Sequence, residues 1–210
     1  MLNSNCELKV CDFGLSRGIE PQNPVMSTPY VATRWYRAPE LLLMWEQANK
    51  AMDVWSVGCI MAELLGRKPI FPGNNYLHQL DLILDVLGTP PDSDVKGCEK
   101  GINYLKQLPK RAPKDLRTIF PHATPQALDL LKKMLHFDPT KRITVEKALE
   151  HPYLANLHDP QDEPTCAPFE FEFEHVAEKG DIKQMIYNEI MQWNLQNNNV
   201  AGDALISGEQ

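Results

Sequence analysis

The sequence predicts a mainly α-helical fold, because helical periodicity dominates it. Apolar residues recur at the spacing of helix faces over residues 50–65, 76–87 and 124–135. The alternation that is typical of strands is confined to residues 8–11 and 158–173. Since 43% of the 210 residues are hydrophobic and 23% are charged, the chain can bury a sizeable core and is not expected to be disordered as a whole.

Composition and charge exclude several classes of protein. The chain has 21 Lys and Arg against 28 Asp and Glu, a formal net charge of −7, and no basic block, so we expect no nucleic-acid partner, and any partner attracted by charge should be basic. No stretch approaches the roughly 18 consecutive apolar residues that span a membrane, and the N-terminus lacks a secretory pattern. Five scattered cysteines without CxxC pairing favour reduced thiols of a cytosolic or nuclear protein.

The N-terminal region combines a short predicted strand with a long loop. Residues 8–11 alternate before Asp12-Phe13-Gly14, which predicts a strand that ends in a turn. Residues 15–36 contain three prolines and no sustained periodicity. We therefore expect a long loop there, and loops of that length are usually functional or disordered.

The central region is predicted to be helical with one irregular stretch. Residues 50–65 are apolar on nearly all sides, as in a buried helix. The helix over 76–87 is expected to end at 88–91, where Gly and Pro cannot continue it. Residues 90–123 are punctuated by prolines and are predicted to be irregular with short helices.

The C-terminal region is predicted to alternate helix and extended chain. Thr124 before a proline is typical of an N-cap and first helical turn, and a short helix is predicted over 144–150. Residues 158–173 are expected to be extended and residues 181–193 to form an amphipathic helix. The Asn-rich residues 197–210 are predicted to be disordered.

The turn at Asp12-Phe13-Gly14 gains meaning from the motifs downstream of it. An aspartate before glycine at a strand end is most often a turn residue, but Ala38-Pro39-Glu40 stands about two dozen residues later with phosphorylatable residues between them. The chain resembles the C-terminal part of a eukaryotic protein kinase, and specifically a mitogen-activated protein (MAP) kinase. Further motifs in that family's order carry the resemblance from about residue 3 to 193: Thr28-Pro29-Tyr30, Val31-Ala32-Thr33-Arg34-Trp35-Tyr36-Arg37, Asp53-Val54-Trp55-Ser56-Val57-Gly58, His136-Phe137-Asp138-Pro139 with Arg142, and His158-Asp159-Pro160 with Asp162-Glu163-Pro164.

The resemblance implies the mostly helical C-terminal lobe of a protein-kinase-like α+β fold, with the N-lobe absent. It divides the chain into a partial kinase domain over 1–154, a docking extension over 155–194 and a disordered tail over 195–210. The first part would contain the activation loop over 12–40 and the MAP kinase insert over about 90–123.

A second implication concerns activity. The Gly-rich loop, strand lysine and catalytic loop of a working kinase would precede the metal turn. We therefore expect a fragment, a truncated gene model or an alternatively started product that is inactive by itself. The helix over 50–65 would then keep an exposed apolar patch.

The resemblance assigns catalytic and regulatory roles near the loop. Asp12 would act in catalysis by binding Mg²⁺ and so ATP, and Thr33 would support the catalytic loop. Thr28 and Tyr30 would be phosphorylated, which adds about three to four negative charges. Arginine forks would clamp the two phosphates: Arg17, Arg34 and Arg37.

Other residues near the loop are expected to recognise substrate or to hold the lobe together. Val31 and Ala32 would form a pocket for the proline of a Ser-Pro or Thr-Pro substrate, because a wall without an acceptor tolerates a residue without N–H. Glu40 and Arg142 resemble a buried ion pair that fastens the loop to the lobe, and Asp53 resembles the residue that holds the catalytic loop.

Two docking surfaces are implied as well. The acidic cluster Asp159, Asp162 and Glu163 would bind basic docking peptides of activators, substrates and phosphatases. A hydrophobic groove would bind aromatic docking motifs, although its members are nearly as well explained by core packing: Leu42, Leu43, Tyr76, Leu77, Leu80 and Tyr104.

The resemblance therefore implies an ATP- and Mg²⁺-dependent serine/threonine kinase of the cytoplasm and nucleus. An upstream dual-specificity MAP kinase kinase would activate it, and no membrane partner is expected. A non-catalytic module or decoy that binds docking peptides is the alternative from another class, and a cyclin-dependent kinase relative is a third. The Thr-Pro-Tyr lip resembles the c-Jun N-terminal kinases, whereas residues 3–8 resemble other stress or cell-integrity MAP kinases, so the subfamily stays open.

Overall fold

A computed structural model describes most of the chain. The described residues are 1–16, 33–43, 49–95, 99–163, 165–166, 176 and 178–206, with the backbone alone for Lys100 and 198–206. They fall into two compact units, one of Met1–Gly18 with Cys166–Gln210 and one of Ile19–Thr165. Five residues with predicted roles lie outside the described residues: Arg17, Thr28, Tyr30, Val31 and Ala32.

The regular structure of the larger unit is helical over its described residues, which confirms the mainly α-helical prediction. Its helices are α1 (Pro39–Leu42), α2 (Ala51–Gly66), α3 (Tyr76–Leu87), α4 (Glu99–Gln107), α5 (Leu116–Ile119), α6 (Pro125–Met134) and α7 (Val145–Leu149). Short 3₁₀ turns span Arg34–Tyr36 and Asp92–Val95.

The observed helix ends agree with the predicted ones where a capping residue or a glycine marks the end in the sequence. The Asn75 carboxamide oxygen accepts the His78 N–H at 2.8 Å and begins α3, and Gly88 ends it with a left-handed φ of 79°. The Thr124 hydroxyl accepts the Ala127 N–H at 3.2 Å at the start of α6. These bonds satisfy amide groups that have no partner within the helix.

The core of the larger unit lies where α2, α3 and α6 meet. Trp55 of α2 is fully buried and stacks on Phe71, with ring centroids 5.8 Å apart. Ile83 of α3 and Leu131 of α6 are also fully buried in this cluster. A Cβ at Gly58 would lie 3.0 Å from side-chain atoms of α6 and of the residue after it, so glycine allows α2 and α6 to approach closely.

Helix α2 differs from its prediction on one side. Because residues 50–65 are apolar on nearly all sides, the sequence predicts a buried helix. In the structure, however, Val57, Ile60 and Leu64 are 53%, 49% and 67% exposed. These residues recur at i, i+3 and i+7 and so form one stripe on the helix. The apolar patch expected for this helix is therefore present in the structure.

The smaller unit corrects two predictions. Residues 8–11 do not form a strand, since Leu8 makes only an isolated antiparallel bridge to Leu2. The turn between these two residues is held by the Asn3 side-chain oxygen, which accepts the Glu7 N–H at 2.9 Å. Helix α8 (Lys179–Ile206) continues past the predicted end at 193, so the backbone of 195–206 is helical rather than disordered. The Asn197 amide donates to the Trp193 carbonyl at 2.9 Å across that boundary.

Over the parts of the chain that the structure describes, no helix combines the length and hydrophobicity that crossing a bilayer requires.

Candidate functional site

Residues 33–43 carry six of the predicted site residues that the structure describes, and the conformation of this segment follows from its sequence. Arg34–Tyr36 form a 3₁₀ turn. Ala38 is extended, at φ −67° and ψ 149°, as the residue before a proline prefers. Pro39 then opens α1 at its first position, where its missing N–H costs nothing.

A buried ion pair anchors this segment to the lobe, and it joins Glu40 and Arg142 as predicted. The guanidinium nitrogens of Arg142 lie 2.7 and 2.9 Å from the two carboxylate oxygens of Glu40. Both side chains are almost fully buried, at 0% and 1% exposure. Such a planar two-bond pair combines charge attraction with fixed orientation.

The remaining donors of Arg142 are also used. One nitrogen donates to the Ala51 carbonyl at 2.7 Å and Nε donates to the His136 carbonyl at 3.1 Å. The guanidinium carbon lies 5.2 Å from the centroid of the Trp55 ring, which is cation–π distance. Arg142 therefore joins α1, the start of α2 and the segment after α6.

A second anchor lies at Tyr36. Its hydroxyl donates to Glu63 Oε2 of α2 at 2.7 Å, and its carbonyl accepts from Ser56 Oγ at 2.9 Å. The hydrogen bond to the Glu63 carboxylate, together with burial and the negative charge of Glu63, raises the pKa of Tyr36 above its usual value. The hydroxyl therefore stays a donor over the physiological pH range.

Two of the predicted clamp arginines, Arg34 and Arg37, are within the described residues, and both contact the start of α3. Arg34 donates to the Asn74 carbonyl at 3.2 Å, and its buried Nε has no hydrogen-bond partner among the described residues. Arg37 donates to the Tyr76 hydroxyl at 2.8 Å, with its guanidinium carbon 5.7 Å from that ring's centroid. The structure thus brings Arg34 and Arg37 to one loop and helix junction, residues 74–76.

Thr33 and Asp53 occupy exposed positions in the larger unit. Thr33 precedes the 3₁₀ turn, and its hydroxyl makes no capping bond there. Asp53 lies in the first turn of α2, where a carboxylate interacts favourably with the positive end of the helix dipole.

Asp12, the predicted metal ligand, belongs to the smaller unit. It is exposed and left-handed, at φ 67° and ψ 65°, and it precedes the 3₁₀ turn Phe13–Leu15. Asp tolerates this conformation better than most residues, and its carboxylate is the hard oxygen ligand that Mg²⁺ prefers. However, no group of three or more His, Cys, Asp or Glu suited to a metal ion occurs among the described residues. Asp12 is therefore one candidate ligand for the ion.

The predicted acidic docking cluster presents its carboxylates unequally. Asp159 and Asp162 are exposed, although Asp159 Oδ1 accepts the Gln161 N–H at 2.9 Å. Glu163 is half-buried, and its Oε1 lies 2.8 Å from His158 Nδ1. The two aspartates are therefore the members of the cluster that face solvent.

The predicted hydrophobic groove separates into core and surface members. Leu42, Leu43 and Leu80 are buried at 8%, 8% and 3% exposure and belong to the core. Leu77 is 61% exposed, while Tyr76 and Tyr104 are half-buried and pack against the core. Core packing thus explains three of the six residues, and Leu77 is the one that projects into solvent.

Sequence reasoning missed Gln79. This residue lies on the buried face of α3 at 0% exposure, and its carboxamide contacts both the 3₁₀ turn and the loop before α3. The available signal was a polar residue on the apolar face of a helix, since Leu80 and Ile83 at i+1 and i+4 are apolar. A buried amide needs specific hydrogen-bond partners, so such a residue is expected to link elements.

The chain is similar to known protein kinases. The protein kinase domain family matches residues 1–154. A mitogen-activated protein kinase of Fusarium vanettenii is 53% identical over 201 residues, which cover 91% of this chain and 57% of the relative. The mitogen-activated protein kinase SLT2/MPK1 of Saccharomyces cerevisiae is 52% identical over 202 residues, covering 93% and 42%. The mitogen-activated protein kinase spm1 of Schizosaccharomyces pombe is 50% identical over 197 residues, covering 91% and 47%. The chain spans about half the length of the curated relatives that it matches.

Proposed function

The chain belongs to the protein kinase family and, within it, to the mitogen-activated protein kinases, and on that premise we propose that it serves in signal transduction by phosphorylating Ser or Thr that precedes proline. The observation that carries this proposal is the anchoring of residues 33–43. The Glu40–Arg142 pair and the Tyr36–Glu63 bond hold this segment on the lobe. The segment thereby presents the arginines that come after Thr28 and Tyr30.

Phosphorylation of Thr28 and Tyr30 is the proposed switch. Arg34 and Arg37 are already held beside residues 74–76, and within the described part of the chain the buried Arg34 Nε has no acceptor. A phosphate oxygen would satisfy that donor, and guanidinium and phosphate form strong charge-assisted pairs. By family resemblance Arg17 would meet the phosphate on Thr28, and the clamped loop would be ordered by the new charges.

The proposed substrate contacts involve residues 31–33, and the proposed cofactor contact involves Asp12. Val31 and Ala32 would accept the proline of the target, with Thr33 supporting the catalytic loop. Protein kinases use ATP with Mg²⁺, which supplies neutralisation of the charge that develops on the transferred phosphoryl group. Asp12 is the residue of this chain proposed to bind that ion, and the charge and hardness of its carboxylate suit the task.

The proposed partners are an upstream dual-specificity MAP kinase kinase, Ser-Pro or Thr-Pro substrates, and phosphatases. Basic docking peptides of these proteins would meet the solvent-facing carboxylates of Asp159 and Asp162, and Leu77 would contact an aromatic docking motif. We propose the cytoplasm and nucleus as the location.

Activation can be tested directly on the 210-residue chain. We expect an active MAP kinase kinase with ATP to modify Thr28 and Tyr30, as read by tandem mass spectrometry. Asp159→Asn/Asp162→Asn should slow the reaction about fivefold, or roughly 1 kcal/mol, through weaker docking. The matched control Glu99→Gln/Glu150→Gln removes the same charge from other exposed positions. Equal rates for the two double variants would refute docking, and no modification at either position would refute the switch.

A second candidate function is a non-catalytic module that competes for docking peptides. It is favoured by the exposure of Asp159 and Asp162. Incorporation of γ-phosphate from ATP by the purified 210 residues separates the two functions. Incorporation that survives removal of contaminating kinases would exclude the purely binding function.

A further inference from the structure

A fully buried carboxamide links α3 to the activation lip, the name used here for residues 28–40. Gln79 is 0% exposed, and both ends of its amide group are bound. Its Nε2 donates to the Trp35 carbonyl at 3.3 Å, and its Oε1 accepts the Gly73 N–H at 3.0 Å. A buried amide is stable only when such bonds are made, so the Gln79 side chain ties together two backbones that lie far apart in sequence.

Further bonds join the same two backbones. Trp35 Nε1 donates to the Gly73 carbonyl at 3.1 Å, and the Arg34 guanidinium donates to the Asn74 carbonyl at 3.2 Å. A Cβ on Gly73 would clash with Gln79 Oε1 and would lie 2.6 Å from the Gln79 Cα. Only glycine therefore allows the loop to approach the helix closely enough for these bonds.

We infer that Gln79 is a positioning residue for the phosphate clamp, one that sets where the Arg34 guanidinium stands for the phosphate of Tyr30. The inference rests on the proposed clamp. Gln79 acts through its neighbours: it holds the carbonyl of Trp35, the residue next to Arg34, while the loop it also holds provides the acceptor for Arg34.

The physical reason is the strictness of guanidinium geometry. A guanidinium binds phosphate through a planar fork, so a small displacement of its backbone weakens both bonds together. Without the Gln79 amide, the Trp35 carbonyl would lose this hydrogen bond, and the Gly73 N–H would keep only its bond to the Phe71 carbonyl at 2.9 Å. The 3₁₀ turn would then have to shift to satisfy the Trp35 carbonyl.

The test uses the 210-residue chain with phosphotyrosine incorporated at position 30. Two quantities are measured: the rate at which a tyrosine phosphatase removes the phosphate, and the phosphate pKa by ³¹P NMR titration. Gln79→Met keeps the length of the side chain and removes its amide. Ile83→Ala, one turn later on the same buried face, destabilises α3 but leaves the Gln79 amide in place. Arg34→Ala/Arg37→Ala removes the clamp itself.

Gln79→Met should raise the dephosphorylation rate about fivefold, the equivalent of one lost hydrogen bond. It should also raise the phosphate pKa towards that of free phosphotyrosine, because neighbouring guanidiniums favour the dianion. Ile83→Ala should leave the dephosphorylation rate within about twofold of wild type and the phosphate pKa at its wild-type value. If Gln79→Met fails to fold by circular dichroism, Trp35→Phe removes one bond of the link and should show the same direction of change.

Each other outcome decides against one of the two ideas. If Gln79→Met matches the wild type while the double arginine variant loses protection, the positioning role is wrong and the clamp stands. If Ile83→Ala equals Gln79→Met, general destabilisation explains the effect and the inference falls. If the arginine variant behaves like the wild type, the clamp is wrong and takes the inference with it.

Discussion

Replacement of Glu40 by Gln is the sharpest test of how the lip is anchored. Glu40→Gln keeps the size of the side chain but leaves the Arg142 guanidinium buried, at 0% exposure, without its counter-charge. Removing one partner of a buried pair costs about 3–5 kcal/mol, because the remaining charge is uncompensated. For a chain of this length each kcal/mol lowers the melting temperature by about 2–4 °C, which gives a fall of about 6–20 °C.

The assay is thermal and urea unfolding of the 210-residue chain, followed by circular dichroism. Asp92→Asn is the control, because it breaks the exposed pair with Lys106, whose side chains are 72% and 58% exposed, and should cost less than about 1 kcal/mol. The double variant Glu40→Leu/Arg142→Met should be less destabilised than Glu40→Gln, since it leaves no unpaired charge. A Glu40→Gln loss no larger than that of Asp92→Asn would refute this reasoning.

Three further predictions concern the same unit. Burial raises the pKa of Cys59 to about 12, so iodoacetamide at pH 8 should modify the exposed cysteines and spare this thiol in the native state; its modification at an equal rate would contradict this. The raised pKa of Tyr36 means that stability present below its unfolded pKa is lost as pH rises through the folded value. Stability should therefore fall more steeply above about pH 10 in wild type than in Tyr36→Phe, as urea titrations would show, and parallel curves would argue against the bond to Glu63. The apolar stripe of α2 should promote self-association, so Ile60→Lys/Leu64→Lys should lower the apparent mass in light scattering; a monomeric wild type would exclude this.

The chemistry that the chain can offer is concentrated in arginine. Arg142 holds α1, Arg37 donates to the Tyr76 hydroxyl, and the Arg34 Nε has no partner among the residues that the structure describes. Guanidinium groups suit both tasks, since they stay charged and present several donors in one plane. The same residue type therefore serves as a structural anchor inside the lobe and as a proposed phosphate receptor at its edge.

Local signals in the sequence account for the elements that were predicted closely. Helix α3 has its predicted bounds because Asn75 caps one end and Gly88 adopts a positive φ at the other. Thr124 and the proline after it likewise mark the start of α6. Capping and turn chemistry act over a few residues, so these features can be read without any knowledge of the fold.

Features that depend on distant partners were read less well. The alternation at 8–11 predicts a strand, but Leu8 pairs only at one isolated bridge, and a strand needs neighbours along its length. The apolar character of α2 did not reveal which side would stay uncovered, and Leu77 and Leu80 look equivalent in sequence although one is 61% and the other 3% exposed.

Sequence motifs identified the family and marked Glu40, Arg142 and the lip arginines as candidates, because motif spacing is a property of the chain alone. The folded structure decided which partners these residues have: the Ala51 carbonyl for Arg142, the Tyr76 hydroxyl for Arg37, and the Gln79 amide for the Trp35 carbonyl. Hydrogen bonds act over about 3 Å, and only packing of the helices brings groups that are 39 to 91 residues apart within that distance.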